Sequence, residues 1–265
     1  MIGRRASAAA EAGDDRQSIS AGVSEARRAS WAVGLAVAAY GVSFGALAVA
    51  SGLDVWQACV LSLLMFSGGS QFALIGVLAS GGVAAGPAAI AGAALLGLRN
   101  GLYAVRVSPI VGRGFWRRLL AGHLTIDEST AVATAQAEPE AQRAGFWWTG
   151  WIIFLGWNLT TLIGALLGDL LGDVSAYGLD AAAAAAFLGL LWPRLRALQP
   201  VVVAIGAAVV AAVTIPVLPA GLPVILAALV AIVVGLLDLL GRPEPSPVAT
   251  HAEIPPAPDT GEADR

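Results

Sequence analysis

Between Trp56 and Leu78 the chain runs apolar for long enough to cross a bilayer, which takes roughly 20 residues of helix. The centre of that run reads Phe66-Ser67-Gly68-Gly69-Ser70-Gln71-Phe72. Two adjacent glycines, two serines and a glutamine at such a depth constrain this chain more than any other feature. Glycine lets a backbone open or another helix come close. Backbone groups freed inside hydrocarbon cost several kcal/mol each unless protein or a watered cavity satisfies them. A break here therefore implies a protein-lined site near the midplane, where transporters place substrate. The competing reading is a patch of small residues for helix–helix packing.

The rest of the composition supports a membrane setting. Hydrophobic residues make up 57% and charged residues 12%, where a soluble domain is about a quarter charged. The expected fold class is all-α: a polytopic integral membrane protein with about seven membrane segments. All fifteen basic residues are arginine, which excludes a P-loop lysine, a Schiff-base lysine and a lysine general base. The single cysteine, Cys59, rules out a disulfide framework, and with His123 and His251 it makes no metal cluster. No cofactor is implied. The net charge of −3 lies in tails and loops and does not point to nucleic acid.

In order, residues 1–30 read as a disordered polar arm, 31–240 as the transmembrane domain, and 241–265 as a disordered tail rich in proline and acid. Apolar segments cover 31–50, 56–78, 87–111, 146–168, 179–192, 200–218 and 222–240. Pro87 suits a first helical turn. Trp31, Trp56, Trp147, Trp148 and Trp192 fall at segment ends, as an aromatic belt would. Arg99-Asn100 and Arg106 sit among apolar neighbours, and an arginine at a helix centre costs about 2.5–3.5 kcal/mol on insertion scales. Either these arginines face an interior partner or they snorkel to the surface. Asp127-Glu128 is an adjacent acid pair that reads as an ordinary helix start capped by Thr125, or as a charged element tucked against a transport path. A short internal repeat pairs Gly45-Ala46-Leu47 and Gly52-Leu53-Asp54 with Gly164-Ala165-Leu166 and Gly178-Leu179-Asp180. Both aspartates are placed as helix caps.

Arginine groups at 27–28, 113–118 and 194–196 each ask for the cytoplasmic side, and seven full spans cannot satisfy all of them. Either segment 87–111 does not cross fully, or the Asp127 segment enters the membrane, or one arginine group lies outside.

Several motifs in order resemble the AzlC family of branched-chain amino acid permeases, over roughly residues 32–240. They are Phe44-Gly45, the run Ser67-Gly68-Gly69-Ser70-Gln71-Phe72, Arg99-Asn100-Gly101-Leu102-Tyr103, and Leu124-Thr125-Ile126-Asp127-Glu128. Ile126 interrupts the family's Thr-Asp-Glu run, and Asn100 stands where members often carry histidine; both departures bear on substrate preference. The resemblance implies export of valine, leucine or isoleucine, with methionine as a further candidate, across the cell membrane of a bacterium. It also implies a small AzlD-like membrane partner.

An amino acid needs a partner for its carboxylate, a partner for its ammonium and an apolar pocket. Arg99 or the helix N-termini at Gly68-Gly69 suit the carboxylate. Carbonyls at the break, Gln71 or Asn158 suit the ammonium, and Phe66, Phe72 and Leu74 offer apolar surface. Ser67, Ser70, Asn100 and Tyr103 complete the expected substrate site, with Asp127 and Glu128 for proton coupling or gating. A membrane enzyme lacks a nucleophile–base pair in this sequence. A channel or a non-transporting scaffold subunit of a larger complex is the alternative to a transporter.

Overall fold

The computed structural model describes residues 2–171, 188, 191, 192, 195, 197–219 and 222–237, with side chains from residue 17 onward. Among the described residues every regular element is helical: α1 (Ile2–Ala50), α2 (Val55–Leu64), α3 (Gly68–Gly81), α4 (Gly86–Val111), α5 (Phe115–Leu124), α6 (Asp127–Thr134), α7 (Pro139–Leu171), α8 (Leu198–Thr214) and α9 (Leu222–Leu236). A single 3-10 turn, Val83–Ala85, precedes α4.

The frame is a parallel pair, α1 and α7. Gly22 faces Ala141, Gly34 faces Ile152, Gly45 faces Thr161, and Ala46 faces Gly168, so the two helices climb together. Glycine is required there because the backbones nearly touch. A Cβ at Gly41 would stand 2.7 Å from the Trp157 carbonyl oxygen. A Cβ on Gly45 would strike the Thr161 carbonyl, and one on Gly164 would strike that of Val42. Each of these two glycines thus sits against the residue three before the other. The short repeat seen in sequence is therefore a reciprocal packing contact. Its second half around Asp180 lies outside the described residues. Buried hydroxyls stitch the pair at two levels: Ser30 and Thr149 approach to 2.9 Å, and Thr160 Oγ1 donates to the Ala38 carbonyl at 2.6 Å.

The run at 56–78 does not cross. Asp54 caps α2 as expected, accepting from Gln57 N–H at 2.7 Å, while Gln57 Oε1 accepts from Asp54 N–H at 2.9 Å. Going down α2, Ser62 meets Thr161, and at the break Gln71 meets Trp157. The chain leaves helical geometry at Met65 and Ser67 (φ −104° and −159°) and resumes as α3 at Gly68. From there α3 pairs antiparallel with α4: Gly69 lies by Leu96 and Arg99, Ser70 by Gly97, and Val77 packs with Ala85 and Ala89. The turn between them uses Gly82 at φ +62°, on the side of backbone space that suits glycine. At its far end α4 reaches the start of α7, where Arg143 Nε donates to the Ile110 carbonyl at 3.1 Å. Since α4 ends where α7 begins, α4 is antiparallel to the frame. Helices α2 and α3 therefore form a half-depth hairpin entered and left from one end.

A second hairpin enters from the other end. Arg117 lies over the Trp147 ring at 5.7 Å, His123 packs on Phe154, and Leu124 backs onto Gly150, so α5 climbs along α7. After the break at Thr125-Ile126, α6 returns, with Val132 against Gly145. The two tips meet at mid-depth, Phe66 against His123 with ring centroids 6.0 Å apart.

The expected count of about seven membrane segments extends over residues outside those described, and the described part divides as follows. Among the described residues three helices are long and apolar enough to cross a membrane, Gln17–Ala50, Val83–Val111 and Pro139–Leu171, while α8 and α9 are shorter apolar helices packed together through Gly206 and Val230. The first two arginine groups share one end because the run at 56–78 folds back, which is none of the three ways out expected from sequence. Arg27 stacks on Trp148 (4.7 Å), and Arg117 and Arg143 lie at the same end, called here the basic end. The 194–196 group and the tail at 241–265 lie outside this account. The arm expected to be disordered over residues 1–30 is instead the first part of α1, which begins at Ile2.

Single cysteines placed in a Cys59→Ser background test the two hairpins. Asp54→Cys and Ala84→Cys should label with an impermeant thiol reagent from one side of the membrane, and Arg113→Cys and Glu138→Cys from the other. Labelling of positions 54 and 84 from opposite sides would show a spanning segment instead of a hairpin.

Candidate functional site

Around the meeting point of the tips lies a cavity of about 320 Å³. Its polar floor is made by Ser67, Gly68 and Gly69 of the first tip, Asp127 and Glu128 of the second, and Arg99 from the middle of α4. Its apolar wall comes from α1, α7 and the first tip, including Val37, Phe66, Phe72, Ile153 and Trp157. The wall is stiff. Phe44 stacks on Trp157 (6.1 Å, 28°), and Phe72 meets both edge-on, at 5.8 and 6.2 Å. Such pairs add about 0.5–1.5 kcal/mol each beyond the area they bury.

Two helix N-termini open onto this space. No side chain caps the first turn of α3, where Ser67 bonds Ser70 instead (3.2 Å). At the start of α6 the capping position is Ile126, which has no side-chain oxygen to offer. The positive end of α3 is thus open to an anionic group. Asp127 and Glu128 stand in the first turn of α6.

Arg99 crosses to the second tip and pairs with Asp127 at 3.1 Å, both side chains partly exposed to the cavity. Its Nε is buried without a hydrogen-bond partner. The glycine pair makes this arrangement fit. A Cβ on Gly69 would lie 2.8 Å from Arg99 Nη2, and a Cβ on Gly68 would lie 3.2 Å from the Trp157 ring. One glycine leaves room for the cation, the other for the indole.

Gln71 does not reach the cavity. It is fully buried, and its Nε2 donates to the Met65 carbonyl at 2.7 Å and to that of Ser62 at 3.4 Å. Its Oε1 accepts from Trp157 Nε1 at 2.8 Å. The expected ligand is a clasp: every polar atom of the amide is spent on closing the break. Ser129 does the same for the second tip, donating to the Leu124 carbonyl at 2.8 Å and accepting from Ile126 N–H at 3.1 Å. Thr125, expected as a cap, bonds back to Ala121 instead (2.6 Å).

Ser67, Gly68, Gly69, Phe72, Arg99, Asp127 and Glu128 therefore come together as expected from sequence. Ser70 and Asn100 instead line a second cavity of about 400 Å³ on the other side of the tip contact, beside His123. Tyr103 is half-buried one turn beyond Arg99, away from both spaces. Asn158 donates to Phe154 of its own helix at 2.7 Å and is not part of the wall. No group of three or more metal-ligating side chains exists among the described residues.

A model of the family described as AzlC protein matches residues 32–171, which span α1 from its apolar start through the end of α7. The chain belongs to the AzlC protein family. That family is associated with branched-chain amino acid transport. No curated protein and no solved structure matches the chain. The matched stretch holds both hairpins, the parallel frame and every cavity residue named above from the tips, α4 and α7. Sequence reasoning missed Trp157, which is both cavity wall and partner of Gln71. Its signal was present, a tryptophan inside segment 146–168 and not at an end, but the neighbouring Asn158 drew the assignment.

The clasp can be separated from a ligand role by stability. Trp157→Phe leaves Gln71 Oε1 unpaired in a buried site and should lower stability by about 1–3 kcal/mol. Gln71→Ala should cost more, since it strands the Met65 carbonyl and the indole N–H together. Thermal unfolding of the purified protein in detergent gives the comparison. A Gln71→Ala protein as stable as the parent but inactive in transport would make Gln71 a ligand after all.

Proposed function

We propose that this chain is the large subunit of a secondary transporter that exports branched-chain amino acids across the cell membrane, working with a small AzlD-like partner. The proposed role is transport, not catalysis. One observation carries the reading: an apolar-walled cavity at mid-depth whose polar floor holds an arginine–aspartate pair and the uncapped N-terminus of α3. That is the chemistry a zwitterion with a hydrocarbon side chain needs.

In the empty state Arg99 holds Asp127. A substrate carboxylate entering the cavity competes for the guanidinium and for the N–H groups at Gly68 and Gly69. Asp127, released, and Glu128 then face the ammonium. The exchange keeps every charge paired, so the desolvation cost of Arg99 is met in both states. The aliphatic side chain lies against Val37, Phe72 and Ile153. Burying a Val, Leu or Ile side chain is worth roughly 1.5–3 kcal/mol.

Access follows from the hairpins. The basic end faces the cytoplasm by the excess of arginine there. Movement of the α5–α6 hairpin opens the cavity to that side, and movement of the α2–α3 hairpin opens it to the other. Methionine fits the same wall and is a further candidate cargo.

Efflux of a panel of labelled amino acids tests the reading in cells expressing this chain with its adjacent small membrane protein. Efflux of valine, leucine or isoleucine is expected, and little efflux from the chain alone. Arg99→Ala should abolish efflux while the protein still inserts. Arg99→Lys should lose at least about tenfold, because a point charge does not replace a planar fork. Near-normal efflux from Arg99→Ala would remove the arginine from the mechanism. Full efflux by the single purified chain in liposomes would remove the partner.

A further inference from the structure

At the basic end, a third cavity of about 320 Å³ lies between the last turns of α4 and the first turns of α7, and it holds two arginines, Arg106 and Arg143. Neither is in an ion pair among the described residues. Glu138 and Glu140 flank the start of α7 but do not line the cavity. Among the described residues Arg143 spends only its Nε, on the Ile110 carbonyl, and that bond fixes the plane of the guanidinium while leaving both terminal nitrogens for a ligand. Pro139, at the first position of a 33-residue helix, and Gln142 complete the wall, so the positive end of α7 adds to the two cations.

The surface leading down to this cavity is apolar. Along α4, Leu98, Leu102 and Val105 follow one another at helical spacing and are 67%, 73% and 76% exposed. The next residue of α4, Arg106, begins the cavity. An exposed apolar stripe that ends in a pair of guanidiniums with no ion-pair partner among the described residues matches a ligand with an acyl tail and an anionic head.

We propose that the phosphate of an anionic phospholipid seats between Arg106 and Arg143, with an acyl chain along Leu98, Leu102 and Val105. A guanidinium takes two phosphate oxygens at once, and two guanidiniums on different helices hold the phosphate from two directions. The occupied site ties the end of α4 to the start of α7. This assignment is independent of the cargo of the central cavity.

Native mass spectrometry of the full chain, purified in detergent and titrated with phosphatidylglycerol or phosphatidylcholine, tests the site. The chain should retain phosphatidylglycerol in preference to phosphatidylcholine, and Arg106→Gln and Arg143→Gln should each weaken that preference about fivefold. Arg113→Gln, outside the cavity, should leave it unchanged. A parallel arm follows thermal unfolding of the unaltered protein against the mole fraction of phosphatidylglycerol, and against inorganic phosphate. Stabilisation by the lipid and not by millimolar phosphate supports the proposal. Equal retention of the two lipids, or a preference untouched by both substitutions, overturns it. Protection by inorganic phosphate as strong as by lipid also overturns it, since a soluble anion would then be the occupant.

Discussion

A helix that stops at mid-depth leaves carbonyls and N–H groups with no water to take them, and the cost of each is several kcal/mol. In this fold one amide side chain meets that demand. Gln71 spans the first break, binding the carbonyls that end α2 and receiving the indole N–H of Trp157 from the frame. It does three things with one residue: it terminates α2, turns the chain back into α3, and fixes both to α7. Ser129 repeats the device with a smaller side chain at the second break, which turns within two residues. The cavity exists because these two clasps hold the tips apart from their own helices and against each other.

The clasps would be idle without a rigid body to fasten to. The parallel α1–α7 contact supplies it, at a separation that only glycine permits. Close backbone packing of this kind is how helices associate where lipid gives no hydrophobic drive between them. Everything that bears charge in the cavity sits on other elements. Arg99 is on α4 and Asp127 on α6, so the ion pair joins the middle of one element to the tip of another.

Much of this was legible in the residues, and the failures are specific. The polar centre of the second segment marked a break, and Asp54 marked the cap that starts α2. The break itself lies just before the glycines, at Met65 to Ser67, because the glycines serve as room for Trp157 and Arg99 and not as the point of opening. A run long enough to span gave no warning that it would fold back. That choice depends on Gln71 finding Trp157, far along the chain, and long-range pairing leaves no local pattern. Gln71 and Asn158 were read as ligands because a polar side chain in an apolar run signals function; it signals equally a backbone group that needs closing. The conflict among the arginine groups was informative in the end, since a re-entrant hairpin is what lets Arg27 and Arg117 share one end with α7.

Because α5 and α6 have ten and eight residues, at 1.5 Å rise each they are roughly 15 and 12 Å long. The partition between the two faces is therefore thin, little more than the tip contact of Phe66 and His123. An electric potential across the membrane falls mainly across whatever separates the two aqueous phases. One elementary charge passing across the full potential would feel about 2.3 kcal/mol per 100 mV. A zwitterion carries no net charge through that field and does no electrical work there. A lone inorganic ion carries the full charge, so for the proposed zwitterionic cargo the membrane voltage opposes the leak of one sign of ion without opposing the cargo.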